Sequence, residues 1–307
     1  MTVLSTVTST EGIMRVLVTG AAGHIGSAVV PELLRAGHDV VGLARSETSA
    51  VTVKELGAEA RRGDVADLDG LRAAAADVDA VVHLAYDHDA VHRGDLADAA
   101  AADIAVVRAL GEALAPNGGT LMGVGMTRTG DADLDRVIDA NPRSAVTGEL
   151  TALADRGVRT LLVAIPPLVH SDRDRGGWLP TLIGIARRAG VSGYVGDGAQ
   201  HWPAAHTLDL AALYRLGLEQ APSGTTLRGA TEPGVTVRAI AERIGRHLDV
   251  PAVSVPAERA TEHFGPFGAF MAFDFRMDNA ETRALVGWEP AHPGVLADLD
   301  AGHYFRG

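Results

Sequence analysis

The chain has 307 residues, of which 47% are hydrophobic and 21% charged, and its formal net charge at pH 7 is −12. This length suits one large domain or two unequal ones, and the composition is that of a folded globular protein. The negative charge opposes non-specific binding to nucleic acid or anionic lipid, and the longest apolar run, residues 161–169, is far shorter than the roughly 20 residues that cross a bilayer. We therefore expect a small-molecule substrate, and neither a nucleic-acid nor a membrane partner.

The absence of cysteine excludes disulfides, thiolate nucleophiles and cysteine-based zinc sites, and it suits a reducing compartment. Residues 1–13 are rich in serine and threonine and lack the basic start and apolar core of a signal peptide. We predict that they form a disordered tail, that Met14 is a candidate native start, and that the protein is cytoplasmic.

From Met14 onward, short β-branched runs alternate with amphipathic stretches, which is typical of repeated βαβ units. The predicted fold class is α/β with a mainly parallel sheet. Strands are predicted at Arg15–Thr19, Asp39–Leu43, Glu59–Arg62, Ala80–Leu84, Thr120–Val124 and Thr160–Ile165. Helices are predicted at Ile25–Ala36, Ala50–Leu56, Leu68–Ala75, Leu96–Leu114 and Ser144–Asp155.

The pattern changes after Pro166, where residues 170–177 are polar and turn-rich and residues 193–209 mix glycines with aromatic side chains. A helix at Leu208–Leu218 and a strand at Thr226–Gly229 are predicted to rejoin the sheet. Further helices are predicted at Thr236–Leu248 and Asn279–Val286. We predict a main domain of residues 14–170 and 205–230, and a smaller lobe of residues 171–204 and 231–307.

A glycine-rich turn joins the first predicted strand to the first predicted helix. Its three glycines suit a tight turn, a close approach of backbone to a pyrophosphate, and close packing of helix on strand. The N terminus of the helix presents N–H groups and a partial positive charge to phosphate. The turn predicts a dinucleotide site, and a glycine-rich turn without a ligand is the alternative. The predicted cofactor-binding residues here are Gly20, Gly23, His24, Ile25 and Gly26.

The end of the second strand indicates which dinucleotide is preferred. An acidic residue at this point binds the ribose of NAD, whereas a basic one accommodates the 2′-phosphate of NADP. Here the strand ends in Arg45 and Ser46, so NADP(H) is the predicted cofactor; the alternative is that Arg45 is a solvated cation and Glu47 binds the ribose. After the third strand, Asp64 and Val65 are predicted to contact the adenine; the alternative is that Gly63, Asp64 and Val65 form only a turn.

Several motifs resemble those of the short-chain dehydrogenase/reductase superfamily, in its extended, epimerase-like branch. They are TGAAGHIG at residues 19–26, GDV at 63–65, VVHLAY at 81–86, AIPPLVH at 164–170 and LVGWEP at 285–290. The resemblance implies a Rossmann-type doubly wound parallel sheet with a smaller C-terminal substrate lobe, so that residues 14–170 and 205–230 would form the dinucleotide-binding domain and residues 171–204 and 231–307 the substrate-binding lobe. It also implies a nicotinamide cofactor and a homodimer formed through the helices at Leu96–Leu114 and Ser144–Asp155. It adds five residues to the predicted cofactor site: Leu84, Ala85, Tyr86, Pro166 and Leu168.

The chain departs from this superfamily in its catalytic residues, because none of its four tyrosines is followed four positions later by a lysine. The resemblance places Arg143 near the lysine position and Asp139 near the tyrosine position. The usual serine falls around Val124 and Gly125, and Thr127 is the nearest hydroxyl.

Another proton donor is then needed, unless the reaction takes its proton from solvent. A guanidinium stays protonated, so Arg143 supplies positive charge near the cofactor but no proton. Tyr86 and His88 follow the fourth strand, and His88 titrates in the useful range. For His88 the alternative is a solvated side chain in a polar loop, residues 87–95.

A second group of residues is predicted to meet the substrate. Its aromatic and imidazole side chains suit a planar or carbonyl-bearing ligand, although Trp202 also suits core packing. No metal site is predicted, because His201 and His206 share neither a helical nor a strand face. The predicted substrate residues are Val124, Gly125, His170, Tyr194, His201 and Trp202.

These observations support three functional hypotheses. The first is an NADPH-dependent reductase that acts on a C=O, C=N or activated C=C bond of a small organic substrate, with a non-standard proton donor. The second is a catalytically inactive NADP-binding regulator. The third is an isomerase, epimerase or lyase that uses its bound nicotinamide transiently.

Overall fold

The computed structural model describes residues 12–268 and 270–306, so residues 1–11 of the predicted tail lie outside the described residues. In the first half, strands alternate with helices as predicted. The strands are β1 (Arg15–Thr19), β2 (Asp39–Ala44), β3 (Glu59–Arg62), β4 (Ala80–His83), β5 (Thr120–Gly125) and β6 (Arg159–Ala164). The helices are α1 (Gly26–Arg35), α2 (Glu47–Glu55), α3 (Leu68–Ala75), α4 (His88–Arg93), α5 (Leu96–Leu114), α6 (Ala132–Ala140) and α7 (Ala145–Ala154).

The second half begins with strand β7 (Leu168–His170). The remaining strands are β8 (Ser192–Val195), β9 (His201–His206), β10 (Thr225–Arg228), β11 (Glu232–Thr236) and β12 (Ala252–Val255). The remaining helices are α8 (Trp178–Ala189), α9 (Thr207–Gln220), α10 (Val237–Leu248), α11 (Ala260–Phe264), α12 (Ala280–Val286) and α13 (Val295–Asp300).

Seven parallel strands form the main sheet, in the order β10-β6-β5-β4-β1-β2-β3. Successive residues of a strand face opposite sides, so Val16 and Val18 join one core with α1 and α9, whereas Leu17 joins the other with α3, α5 and α7. The Rossmann-type doubly wound sheet is therefore confirmed. Strand order reverses between β1 and β4, and ligands of such sheets bind at this point, beyond the carboxyl ends of the strands.

The predicted return to the sheet is also confirmed, because β10 pairs with β6 and α9 packs on α1. Beyond the main sheet, β11, β9 and β7 form a three-stranded sheet, and β12 and β8 a two-stranded one. A third apolar core joins them to α8, α10 and α13. The division of the chain into cofactor-binding and substrate-binding parts stays a prediction, as does the homodimer through α5 and α7, which pack side by side.

The polar loop predicted around His88 is wrong, because residues 88–93 form the helix α4. The carboxylate of Asp87 accepts a hydrogen bond from the N–H of Ala90 at 2.9 Å and so starts the helix, while Ala90 is buried. The helix α8 was also missed. Its buried residues Leu179, Ile183 and Ala186 have helical spacing, but the turn-rich residues before it obscured the pattern.

Within the described ranges, we find no helix that combines the length and the apolar character needed to cross a membrane.

The imidazole of His206 caps the N terminus of α9, where its Nδ1 accepts a hydrogen bond from the N–H of Leu208 at 3.3 Å. The ring stacks on His292, with 4.8 Å between ring centroids, and meets His170 edge-on. Burial lowers the pKa of His206, and the two neighbouring imidazoles lower it further, whereas the carboxylates of Asp298 and Asp209 oppose the shift. The folded state therefore favours the neutral ring.

A neutral, buried histidine makes stability depend on pH in one direction. The contribution of His206 to the free energy of unfolding is complete above the pKa of this histidine in the unfolded chain, which is near 6.5. The contribution is lost as the pH falls below that value, because protonation then favours the unfolded state. The substitution His206→Asn keeps an N-cap side chain and removes the titrating group. As the pH falls from 7 to 5, we expect the free energy of unfolding of the unsubstituted protein to decrease more than that of this variant. The measurement is urea denaturation of both proteins at each pH. A constant difference between the two proteins would contradict this assignment.

Candidate functional site

The turn between β1 and α1 has the backbone geometry of a phosphate-binding loop. Gly20 has a φ of +67°, and a Cβ on it would lie 2.8 Å from the amide nitrogen of Ala85. A Cβ on Gly26 would overlap the carbonyl oxygen of Gly20. Within the described chain, no side chain caps the N terminus of α1. The N–H groups at this helix end, which include those of Ile25 and Gly26, can therefore bind a diphosphate.

The side chain of His24 points away from this loop. Its Nε2 lies 2.7 Å from the hydroxyl of Thr207 and 2.9 Å from that of Ser171, and its Nδ1 lies 3.9 Å from Asp174. Burial lowers the pKa of His24, and the Asp174 carboxylate opposes this shift. Of this residue, only the backbone is available to a phosphate, and the imidazole ties the loop to the second half of the chain.

At the end of β2, the exposed guanidinium of Arg45 makes no ion pair with any described residue. Arg62 lies beside it, because β3 pairs Arg62 with Ala44 and its guanidinium donates to the carbonyl oxygen of Arg45 at 3.2 Å. Glu47, the alternative ribose-binding residue, lies 3.9 Å from the Arg62 guanidinium. Two guanidinium groups therefore lie side by side at the carboxyl ends of β2 and β3. Arg62 was missed because nothing in the sequence of its strand indicates that it lies next to Arg45.

The neighbouring predicted residues hold local turns. Ser46 caps α2 by accepting a hydrogen bond from the N–H of Ser49 at 3.1 Å. The exposed carboxylate of Asp64 accepts one from the N–H of Ala66 at 3.0 Å, and Val65 is partly buried beside it. The side chain of Leu168 is fully buried and Pro166 is buried too, so both residues support the edge of the site by packing.

A buried chain of polar side chains crosses the sheet beneath the cofactor loop. The Thr19 hydroxyl lies 2.7 Å from Nδ1 of His83 and accepts hydrogen bonds from the N–H groups of Leu84 and Ala85. Because that oxygen already accepts twice, its own proton goes to Nδ1, and His83 carries its proton on Nε2. This Nε2 donates to the carboxylate of Asp103 at 2.9 Å.

The second oxygen of Asp103 accepts a hydrogen bond from Nε of Arg143 at 3.2 Å. The Asp103 side chain is only 3% exposed, so its charge is balanced within the protein. Neither His83 nor Asp103 was predicted, since one ends a strand and the other lies in a long helix, with 19 residues between them along the chain. A buried aspartate on an otherwise apolar helix face was the only available signal.

The guanidinium of Arg143 lies over the ring of Tyr86, with 3.7 Å from its central carbon to the ring centroid. Burial raises the pKa of Tyr86, and the Arg143 charge opposes this shift. His88 meets the same ring edge-on, with 5.4 Å between centroids. The predicted residues Tyr86, His88 and Arg143 are therefore neighbours, and the phenol is protonated at neutral pH.

A cavity of about 290 Å³ begins at Arg143 and follows the carboxyl ends of β5 and β6. Of the predicted residues, Gly125, Thr127, Arg143 and Trp202 line it. Sequence reasoning missed the other aromatic walls, which come from distant segments of the chain. These walls are Trp178, Phe270, Phe273 and Phe275.

Five other predicted residues do not line this cavity. Asp139 is half exposed on α6 and lies 3.4 Å from the guanidinium of Arg128. His170 is fully buried against Asp298, Tyr194 packs beneath Arg238, and His201 binds Asp274 and Arg276 at the surface. Val124 precedes Gly125 in β5 and does not line the cavity either. Across residues 12–268 and 270–306, no three His, Asp or Glu side chains are grouped to hold a metal ion.

Comparison with known proteins identifies the family. The model of the NAD dependent epimerase/dehydratase family matches residues 16–126. An uncharacterized protein of Schizosaccharomyces pombe is 38% identical over 300 residues, which span 95% of this chain and 100% of the relative. A second uncharacterized protein, from Saccharomyces cerevisiae, is 36% identical over 94% of this chain and 99% of its own length. The chain belongs to the NAD dependent epimerase/dehydratase family.

Solved structures of this family share the fold. The UDP-glucose 4-epimerase of Thermotoga maritima, with UDP-glucose, has a TM-score of 0.73 and is 18% identical, over 95% of this chain and 98% of that one. The dTDP-glucose 4,6-dehydratase DesIV of Streptomyces venezuelae, with NAD and TYD bound, has a TM-score of 0.71 and is 18% identical, over 95% of this chain and 96% of that one. The predicted resemblance to extended, epimerase-like dehydrogenases is thereby confirmed.

Loss of the Asp103 carboxylate should destabilise the protein, because it would break a buried hydrogen-bonded ion pair by removing one partner. Replacing it by asparagine turns an N–H₂ group toward a donor and leaves the partly buried guanidinium of Arg143 without its counter-charge. We expect Asp103→Asn to lower the free energy of unfolding by about 3 kcal/mol, measured by urea denaturation. The control Glu59→Gln breaks an exposed ion pair with Arg15 and should cost less than about 1 kcal/mol. Equal losses in the two variants would show that the buried chain of side chains has no special role.

Proposed function

We propose that the protein is an NADPH-dependent reductase of a small organic substrate. The observation that carries the proposal is the pair of guanidinium groups, Arg45 and Arg62, at the end of β2 and β3, with no carboxylate bound to Arg45. A guanidinium at this position suits the 2′-phosphate of NADP, whereas NAD-specific members place an acidic side chain there.

The rest of the cofactor site fits the same molecule. The loop from Gly20 to Gly26 would hold the diphosphate through backbone N–H groups, and a side chain at either glycine would fill the space or strain the turn. Asp64 and Val65 would hold the adenine end, and Leu84, Ala85 and Tyr86 the nicotinamide end. When bound, the reduced nicotinamide supplies a hydride to an electrophilic carbon of the substrate.

Arg143 polarises the bond that is reduced. Its Nε is engaged by Asp103, and within the described chain no group accepts a hydrogen bond from its two terminal nitrogens. These N–H groups are therefore available to an oxygen of a substrate in the cavity that Arg143 lines. Because the carboxylate of Asp103 fixes the guanidinium before the substrate arrives, no reorganisation is needed during the reaction.

Tyr86 donates the proton when a carbonyl is reduced. Its raised pKa keeps the phenol protonated at neutral pH, and the guanidinium over its ring stabilises the phenolate that forms. For an activated C=C bond, the oxygen binds to Arg143 in the same way, and solvent supplies the proton at carbon.

A second candidate function follows from the family to which the chain belongs. The family is described as NAD dependent epimerases and dehydratases. Epimerisation and dehydration are redox-neutral overall, so such an enzyme would form product without net consumption of nicotinamide. A regulator that binds NADPH would show binding without turnover. Measuring NADPH oxidation beside product formation, on a panel of ketones, imines and enones, separates these two candidates from the reductase.

The choice of cofactor depends on Arg45. Charge-assisted hydrogen bonds to a phosphate contribute roughly 1.5–3 kcal/mol, or about 10- to 100-fold in affinity. We expect Arg45→Asp to weaken NADPH binding by that factor and to change NADH binding little, measured by calorimetric titration of both cofactors. Arg61→Asp carries the same charge change at a residue paired with Asp77 instead, and should leave the preference unchanged. If the ratio of the dissociation constants for NADPH and NADH were the same in Arg45→Asp and in the unsubstituted protein, the assignment of Arg45 to the 2′-phosphate would be refuted.

The proton donor can be tested by Tyr86→Phe, which keeps the ring beneath Arg143 and removes the hydroxyl. For ketone substrates, we expect kcat to fall by about 100-fold or more, as for loss of a general acid, with little change in the Kd for NADPH. In the unsubstituted enzyme, ketone reduction should slow as the pH rises toward the raised pKa of Tyr86. Unchanged kcat in the variant would assign the proton to solvent or to the Thr127 hydroxyl.

A further inference from the structure

The shape and chemistry of the cavity indicate a class of substrate. We infer that the protein binds a small neutral molecule in which an aromatic ring adjoins a carbonyl group, and that it does not bind a nucleotide sugar. The inference rests on the proposed function in one respect, namely that the bound molecule is the one reduced. This substrate class differs from the ligand of one structural relative, the Thermotoga maritima epimerase, whose structure contains UDP-glucose.

The walls of the cavity are aromatic. Trp178 meets Trp202 edge to face, with 5.0 Å between ring centroids and 78° between ring planes, and Phe270 is tilted against Trp178 at 6.1 Å. The indole N–H of Trp202 donates to the carbonyl oxygen of Phe273 at 3.3 Å. With its N–H used inside the protein, Trp202 offers a ligand its apolar ring, and such rings favour stacked or edge-on contact with another ring.

The charge of the cavity opposes a diphosphate. Arg143 is its single charged residue within the described part of the chain, and the other polar side-chain groups of its lining residues are the Thr127 hydroxyl and the indole N–H groups of Trp178 and Trp202. The guanidinium is already balanced by the buried carboxylate of Asp103, so the pair brings no net charge. A diphosphate that entered would leave its water without finding a compensating cation, which is costly. A neutral carbonyl oxygen requires only one donor, and the terminal N–H groups of Arg143 supply it.

The size of the cavity leads to the same class of molecule. Its volume of about 290 Å³ is about twice that of the ~150 Å³ apolar cavity that holds benzene. One ring with a short unsaturated side chain, or two fused rings, fits such a volume. The polar end lies at Arg143 near Tyr86, and the aromatic end at Trp178 and Phe270, so the ring and the reducible group are expected at opposite ends.

The test is a binding measurement on the full chain by calorimetric titration, without cofactor and with saturating NADP⁺, which fills the same site but cannot transfer a hydride to the probe. The probes are 4-phenyl-3-buten-2-one, its saturated-ring counterpart 4-cyclohexyl-3-buten-2-one, and UDP-glucose. We expect the phenyl compound to bind at least tenfold more tightly than UDP-glucose and several-fold more tightly than the cyclohexyl compound. Tighter binding of UDP-glucose, or equal binding of the two enones, would overturn the inference.

A pair of variants locates the binding site. Phe270 is 40% exposed, so its truncation should be tolerated by the fold, and Phe270→Ala should weaken binding of the phenyl compound by about tenfold. Leu285→Ala removes a similarly exposed side chain outside the cavity and should have no effect. Unchanged affinity in Phe270→Ala would overturn the inference.

The outcome of these titrations is distinguishable from failure of the proposed function. If the phenyl compound binds in a Phe270-dependent manner and NADPH does not bind, the substrate class stands and the reductase is refuted. If NADPH binds and only UDP-glucose occupies the cavity, the substrate class is refuted, and the cofactor assignment stands.

Discussion

The carboxylate of Asp103 is the point at which the sheet, the long helix α5 and the candidate site are joined. It receives the His83 imidazole from β4 on one side and the Arg143 guanidinium on the other. A carboxylate this deeply buried is stable only when its charge and its oxygens are satisfied, so the three side chains are held as a unit. The position of Arg143 over Tyr86, and with it the polar end of the cavity, follows from this arrangement.

The same chain of side chains continues to the cofactor loop, because the Thr19 hydroxyl binds both His83 and the backbone beyond β4. From the other side, His24 ties that loop to Ser171 and Thr207, in the part of the chain that leads to the second sheet. The loop is thus fixed from two directions by side chains that do not face the phosphates. A preorganised loop binds its ligand with a smaller loss of conformational freedom.

The main sheet was predictable because its signals are local. Arg15–Thr19, Leu68–Ala75 and Leu96–Leu114 have the bounds that apolar runs and helical spacing indicate. Where a signal depends on one hydrogen bond, the prediction failed: α4 begins because the Asp87 carboxylate accepts from the Ala90 N–H, and nothing in the surrounding residues distinguishes that turn from a polar loop. The strands β8 and β12 pair across more than 50 residues, so neither carries a pattern that reveals the other.

The amino-acid sequence by itself determined the parallel sheet, the glycine-rich turn with Arg45 at the end of the next strand, and the lack of a tyrosine–lysine pair, because each depends on residues close together along the chain. The tertiary structure alone decided that Arg62 joins Arg45, that Asp103 holds Arg143, and that rings from residues 178, 202 and 270–275 enclose one cavity. These contacts depend on how strands and helices far apart in the chain pack against one another. Local sequence patterns do not reveal contacts between residues that are so far apart in the chain. Burial in the folded protein then determines how the charges of these side chains are balanced and what chemistry they can support.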